Sequence, residues 1–123
     1  MKSIKLMPDY QCWPLWWGDG CDFIGNINPI EMDLPATLHM QLREWADVYD
    51  SFINLKKLNG DQPISSLLMR EFENFGIQLW QKLTRHLVHQ YRVVFFSLIY
   101  ARLFISLSEY EKFVQKQGKS QRK

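Results

Sequence analysis

Leu34-Pro35-Ala36-Thr37-Leu38-His39-Met40-Gln41-Leu42-Arg43-Glu44-Trp45-Ala46-Asp47-Val48-Tyr49-Asp50-Ser51-Phe52 is the stretch on which the fold turns. From Leu38 onward its large apolar side chains recur at 38, 42, 45, 49 and 52, alternating steps of four and three that place them on one face of a helix. Val48 and Leu55 widen that stripe. Pro35 suits a first helical turn, where a missing N–H costs nothing, and Asp33 beside it is placed to cap the free amides. A helix is predicted over Pro35–Leu55.

Working outward, Lys57-Leu58-Asn59-Gly60-Asp61-Gln62-Pro63 is rich in turn formers, and Ser65 or Ser66 offers a cap for a second helix. Leu68, Phe72, Phe75, Leu79, Leu83 and Leu87 then mark one apolar face over Leu67–Leu87. Gly76 lies inside that stripe, where glycine costs roughly 1 kcal/mol against alanine. Such a residue predicts close approach by another backbone. Beyond the helices, Ser3–Leu6 alternates polar and apolar side chains up to Pro8, and Tyr91–Ser97 is β-branched and aromatic, so both are predicted strands. A further strand is expected near Cys21–Ile24. Leu98–Leu107 fits a strand or a buried helix equally well. Ser108-Glu109-Tyr110-Glu111 matches a capping box ahead of a short helix, Glu109–Gln117. The sum is an α+β domain: two long amphipathic helices packed on a small antiparallel sheet, with a short C-terminal helix. Residues 1–117 form one domain, and 118–123 a basic, mobile tail.

With 123 residues, 46% hydrophobic and 15% aromatic, the chain can bury one core but not two, and is far from a disordered composition. Its opening residues reach Pro8 and Asp9 before any apolar run of signal-peptide length. The most apolar stretch, Val93–Ala101, is bracketed by Arg92 and Arg102 and falls well short of the roughly 20 residues a membrane span needs. Cys12 and Cys21, without a secretory context, read as reduced thiols. A cytoplasmic protein with no membrane association is expected.

The net charge of +2 conceals a segregation. Residues 1–80 hold eleven acids and six bases, whereas residues 81–123 hold nine bases and two acids. Such asymmetry concerns partners rather than fold. Between Asp9 and Asp50 lie eight acids and one base, interleaved with Tyr10, Trp13, Trp16, Trp17, Trp45 and Tyr49. Aromatics anchor interfaces and carboxylates draw in a cationic partner. Trp45 and Trp80 belong with the helix stripes and are assigned to the core. The candidate partner-binding residues are therefore Asp9, Tyr10, Trp13, Trp16, Trp17, Asp19, Asp22, Glu31 and Asp33.

Catalytic and cofactor signatures are weak. His86 and His89 are near enough in sequence to share a metal, but His39, Cys12 or Cys21 would have to supply a distant third ligand. Gly18 and Gly20 sit beside Asp19 and Asp22, whose charge repels phosphate, and no Gly-Lys-Ser/Thr follows. Neither a catalytic group nor a metal or other cofactor is assigned. The cluster Lys112, Lys116, Lys119, Arg122 and Lys123 admits an alternative, a small nucleic-acid-binding or regulatory protein, although nucleic acid fits the acidic remainder poorly.

Taken together, Ile4-x-Leu6-x-Pro8-Asp9-Tyr10, Pro14-Leu15-Trp16, Leu34-Pro35-x-x-Leu38-x-x-x-Leu42-x-x-Trp45-x-x-x-Tyr49 and Phe72-x-x-x-Gly76-x-x-Leu79-x-x-x-Leu83 resemble a set of small bacterial immunity proteins. These are encoded beside polymorphic and contact-dependent growth-inhibition toxins. The resemblance spans about residues 4–97 and rests mainly on core positions. It implies a non-catalytic cytoplasmic protein that blocks the C-terminal domain of a cognate toxin, often a nuclease, by covering its active site. It assigns no functional residue, because toxin-contacting surfaces differ between pairs.

Overall fold

The computed structural model describes the backbone of residues 1–20 and 25–121 and the side chains of those up to 118. The strand expected near Cys21–Ile24 lies outside the described residues. In chain order the elements are β1 (Lys2–Leu6), β2 (Leu15–Trp17), β3 (Asn26–Ile27), α1 (Ala36–Leu58), α2 (Ser66–His86), β4 (Tyr91–Ser97), β5 (Arg102–Phe104) and α3 (Leu107–Gln121), with a 3-10 turn at Pro29–Glu31 before α1. The α+β class is as the sequence predicts. Both long helices match their stripes within three residues at each end, and Ser65 caps α2 by accepting from the Leu68 amide at 3.2 Å.

The sheet order is β3-β2-β1-β4-β5. The expected antiparallel sheet is corrected here to a mixed one: β1 pairs with β4 in parallel, Lys2 opposite Tyr91 through Leu6 opposite Phe95, while the other pairings are antiparallel. A parallel pair needs a long crossover, and α1 with α2 supplies it. The unbroken apolar run Val93-Val94-Phe95, fully buried in the structure, is what such an inner strand demands. Leu98–Leu107 resolves into a turn, then β5, with α3 starting at its end.

Ile4, Leu6, Leu15, Ile27, Val93, Phe95 and Phe104 form one sheet face and join the core beneath the helices. The helices lie in order across it, α1 against the 3-10 turn that follows β3, α2 over β4 and α3 beside β5. Trp45 stacks on Phe72 with ring centres 4.6 Å apart, and Trp80 on Phe95 at 5.2 Å. Both indoles are 2% exposed, as assigned, and each N–H donates to a backbone carbonyl, Phe72 and Val93 respectively. On the opposite sheet face Lys5 is buried, its ammonium donating to the Gly20 carbonyl where the chain after β2 folds over it.

Three local expectations are corrected. Asp33 does not cap α1, whose N-cap is Pro35 without a side-chain bond; Asp33 instead presents its backbone carbonyl to His86 Nε2 at 2.7 Å, tying the start of α1 to the end of α2. Ser106, not Ser108, caps α3 by accepting from the Glu109 amide at 3.1 Å, because β5 ends early enough for the helix to begin at Leu107. Gly76 is approached by rings rather than by a backbone: a Cβ there would lie 2.7 Å from Trp45 Cζ2 and 3.0 Å from Phe95 Cε1. Its bareness lets the Trp45 indole reach the Phe72 carbonyl, one helical turn back.

A single buried carboxylate joins α2, β4 and α3. Glu73, 2% exposed, accepts from Ser97 Oγ at 2.5 Å and Tyr110 Oη at 3.0 Å, and the Leu98 and Ile99 amides also serve it. Burial pushes its pKa above the ordinary range, and those donors offset part of the rise. Burial and the neighbouring Glu73 charge likewise push the Tyr110 hydroxyl up.

Gly76→Ala should destabilise the protein by roughly 1–3 kcal/mol, since neither clamped ring can retreat without displacing its stack; urea unfolding monitored by tryptophan fluorescence measures the loss. The Glu73 network makes a pH prediction. A native pKa above the ordinary 4.5 means that the folded state holds this proton more tightly than the unfolded chain. Its stabilisation is full below that value and disappears as pH rises through the native pKa. Glu73→Gln cannot titrate, so its stability relative to wild type should improve as pH rises above 4.5 and level off once pH passes the native pKa; parallel stability curves would show that folding does not raise the pKa of Glu73.

Candidate functional site

The chain between β1 and β2 is an exposed aromatic loop fastened at both ends. At its base Met7 N–H donates to the Pro14 carbonyl at 2.9 Å. Its crown rests on α1: Tyr10 Oη donates to Asn54 Oδ1 at 2.7 Å, the Gln11 amide to Asp50 Oδ1 at 3.0 Å, and the Lys57 ammonium sits 4.6 Å from the Tyr10 ring centre. Asp9 closes the turn, accepting the Tyr10 amide on its carboxylate at 2.8 Å and the Cys12 amide on its carbonyl at 3.2 Å. Gln11 holds φ at +57°, a left-handed conformation that costs a non-glycine residue energy and that the Asp50 bond maintains. Beyond the crown, Asn26 at the start of β3 clasps Trp13, accepting from its amide at 3.1 Å and donating to its carbonyl at 2.7 Å. Trp13 is thus presented at 37% exposure on a backbone held from two sides.

Apart from Lys57, the charged groups that meet the loop are carboxylates. Asp9 and Asp50 lie close enough that their charges, added to burial, push the pKa values of Cys12 and Tyr49 up. Asp47, exposed one turn before Asp50, extends the patch along α1. Tyr10, Trp13, Asp9, Asp47 and Asp50 therefore make a ridge of rigid aromatics among carboxylates. Asp47, Asp50 and Asn54 were missing from the sequence candidates. Their spacing on the flank of α1 away from Leu38, Leu42 and Trp45 was the available signal, but only the docked loop shows what that flank meets.

The remaining candidates do not converge there. Trp16 is corrected to a core residue: at 2% exposure it faces the covered side of the sheet, beside Lys5 in the β1–β2 register, and its indole donates to the Met7 carbonyl at 2.9 Å. Trp17, 40% exposed, packs edge-on to Tyr91 with Lys2 over its ring, on the far end of the sheet. Asp19 is paired with Arg92 at 3.0 Å and so offers little unbalanced charge. Glu31 and Asp33 border a separate cleft of about 630 Å3 with His39 and Met40. Asp22 lies outside the described residues.

The groups with catalytic potential are otherwise engaged. Glu73 has the perturbed pKa that often marks an active site, but it is sealed from solvent and surrounded by donors, so it reads as a core tie. His86 is spent on the Asp33 carbonyl, and among the described residues no three metal-ligating side chains come together. A cleft of about 670 Å3 between the end of α2, β4 and the start of α3 is largely apolar, with Arg85 and Arg92 on its border. Among the described residues no helix is long and apolar enough to cross a membrane.

A search among curated proteins returned no match to the chain. A protein-family model does match, over residues 2–98, which takes in β1 to β4 and both long helices, and so includes the aromatic loop, the flank of α1 that carries it and the Gly76 clamp. The chain therefore belongs to the Serratia CdiI immunity protein-like family.

Proposed function

We propose that the chain neutralises a cognate toxin by stoichiometric binding, without catalysis, and that the ridge of Asp9, Tyr10, Trp13, Asp47 and Asp50 is the surface that meets the toxin's C-terminal domain. Membership of an immunity-protein family carries the first part. The second rests on the loop itself. An exposed tryptophan held by Asn26 and a tyrosine held by Asn54 lose little side-chain freedom on association, which is what makes an aromatic side chain an effective anchor. The carboxylates around them match a cationic surface and speed encounter with it.

A nuclease suits this description. It must present positive charge to phosphate, and a carboxylate-rich inhibitor seated there covers the active site while occupying the field meant for substrate. The cytoplasm is where such a toxin would act and where its inhibitor would be needed. The basic side of the molecule is removed from the ridge, since α3 lies at the other edge of the helical layer with α2 between.

The test is co-expression and titration with the toxin domain encoded by the gene next to that of this chain. Trp13→Ala and Asp47→Lys should each weaken binding at least tenfold, about 1.4 kcal/mol, with unchanged circular dichroism. Asp19→Lys, whose aspartate already faces Arg92, should change affinity little. The association rate for wild type should fall as salt is raised. Loss of residues 118–123 should leave neutralisation intact. Full affinity in both ridge variants would move the interface elsewhere, and a toxin domain that the wild-type chain fails to bind would end the immunity reading.

A further inference from the structure

The apolar stripes on α1 and α2 are wider than the core they serve. Val48 and Leu68, both on the stripes that define these helices, remain 42% exposed. They face each other across a groove of about 270 Å3 whose floor and walls include Trp45, Phe52, Phe72 and Phe75. Glu44 on α1 and Glu71 on α2 complete the lining, and no cation is among the lining residues. Arg70, the sequence neighbour of Glu71, is exposed and is not among the residues that line the groove.

From this we infer that the α1–α2 groove is a second docking site for the toxin domain, taking an apolar side chain flanked by lysine or arginine; the inference rests on the immunity reading above. Two features select that occupant. A carboxylate on each wall with no cation among the lining residues favours a partner that brings positive charge to both sides of its apolar anchor, and it penalises a second copy of the same groove meeting it face to face. The groove and the ridge also share α1: Asp47 belongs to the ridge flank, while Glu44 and Val48 line the groove. One partner lying along α1 therefore engages the pinned aromatics on one side and the groove on the other. An apolar pocket ringed by charge is the arrangement in which a buried anchor contributes most, because the rim keeps water out.

The same neighbouring-gene toxin domain serves as the probe. Because the three positions are solvent-exposed, the paired variant Glu44→Lys/Glu71→Lys and the single variant Leu68→Ser should keep the wild-type circular dichroism spectrum and melting profile. Each should weaken toxin-domain binding at least tenfold by calorimetry. Wild-type affinity in both groove variants, with Trp13→Ala still impaired, would overturn the groove assignment and leave the immunity reading standing. Sedimentation of the chain alone supplies the competing occupant: a wild-type dimer abolished by Leu68→Ser, with toxin affinity unchanged, would give the groove to a second copy and sink the proposal. A wild-type chain that does not bind the toxin domain at all would remove both readings together.

Discussion

The parallel pairing of β1 with β4 is the constraint on which the rest of the molecule depends. It joins residues at opposite ends of the family-matched region, Lys2 with Tyr91 and Leu6 with Phe95, and it fixes β4 as an inner strand with neighbours on both sides. Parallel strands cannot be joined by a tight turn, so the chain between them must leave the sheet, cross it and return. The α1–α2 pair makes that crossing, with α2 packed on β4 and α1 packed on α2. The Trp80 indole, bonded to the Val93 carbonyl and stacked on Phe95, and the Glu73 carboxylate, bonded to Ser97, fasten the crossing to the strand.

Once the crossing is fixed, the edges become available for other work. On the β2–β3 side, short strands leave the chain between β1 and β2 free to rise against α1, and the contacts made there are polar: Tyr10 to Asn54, Gln11 to Asp50, Trp13 to Asn26. Polar fastening of an aromatic loop keeps the rings outside the core. Trp16 shows the alternative, only three residues from Trp13 in sequence. It lies within β2, the register turns its ring to the covered face, and it is lost to solvent. A strand's two-residue period thus separates an anchor from a core residue inside one aromatic segment.

The segregation of charge along the sequence becomes a segregation across the helical layer. α1 carries Glu44, Asp47 and Asp50, together with Arg43, Lys56 and Lys57, at one edge, α3 carries Lys112 and Lys116 at the other, and α2 stands between them. That separation keeps the carboxylates of the ridge away from the basic end of the chain. Two of the acids near the start of the chain are engaged elsewhere: Asp19 pairs with Arg92, and Asp33 meets His86 through its backbone carbonyl.

What the sequence determined by itself is what depends on local period and on composition. The helices over Ala36–Leu58 and Ser66–His86, the strand Tyr91–Ser97, the core roles of Trp45 and Trp80, and the resemblance to immunity proteins were all legible there, because a stripe at 3.6 residues or a β-branched run needs no distant partner to be recognised. The direction in which β1 meets β4, the rings rather than backbone at Gly76, the cap at Ser106, and the division of the acidic and aromatic candidates between ridge, core and far edge were decided only by tertiary structure. Each depends on which residues from distant parts of the chain share a surface. Strand register and helix packing settle that jointly, and no local pattern records it.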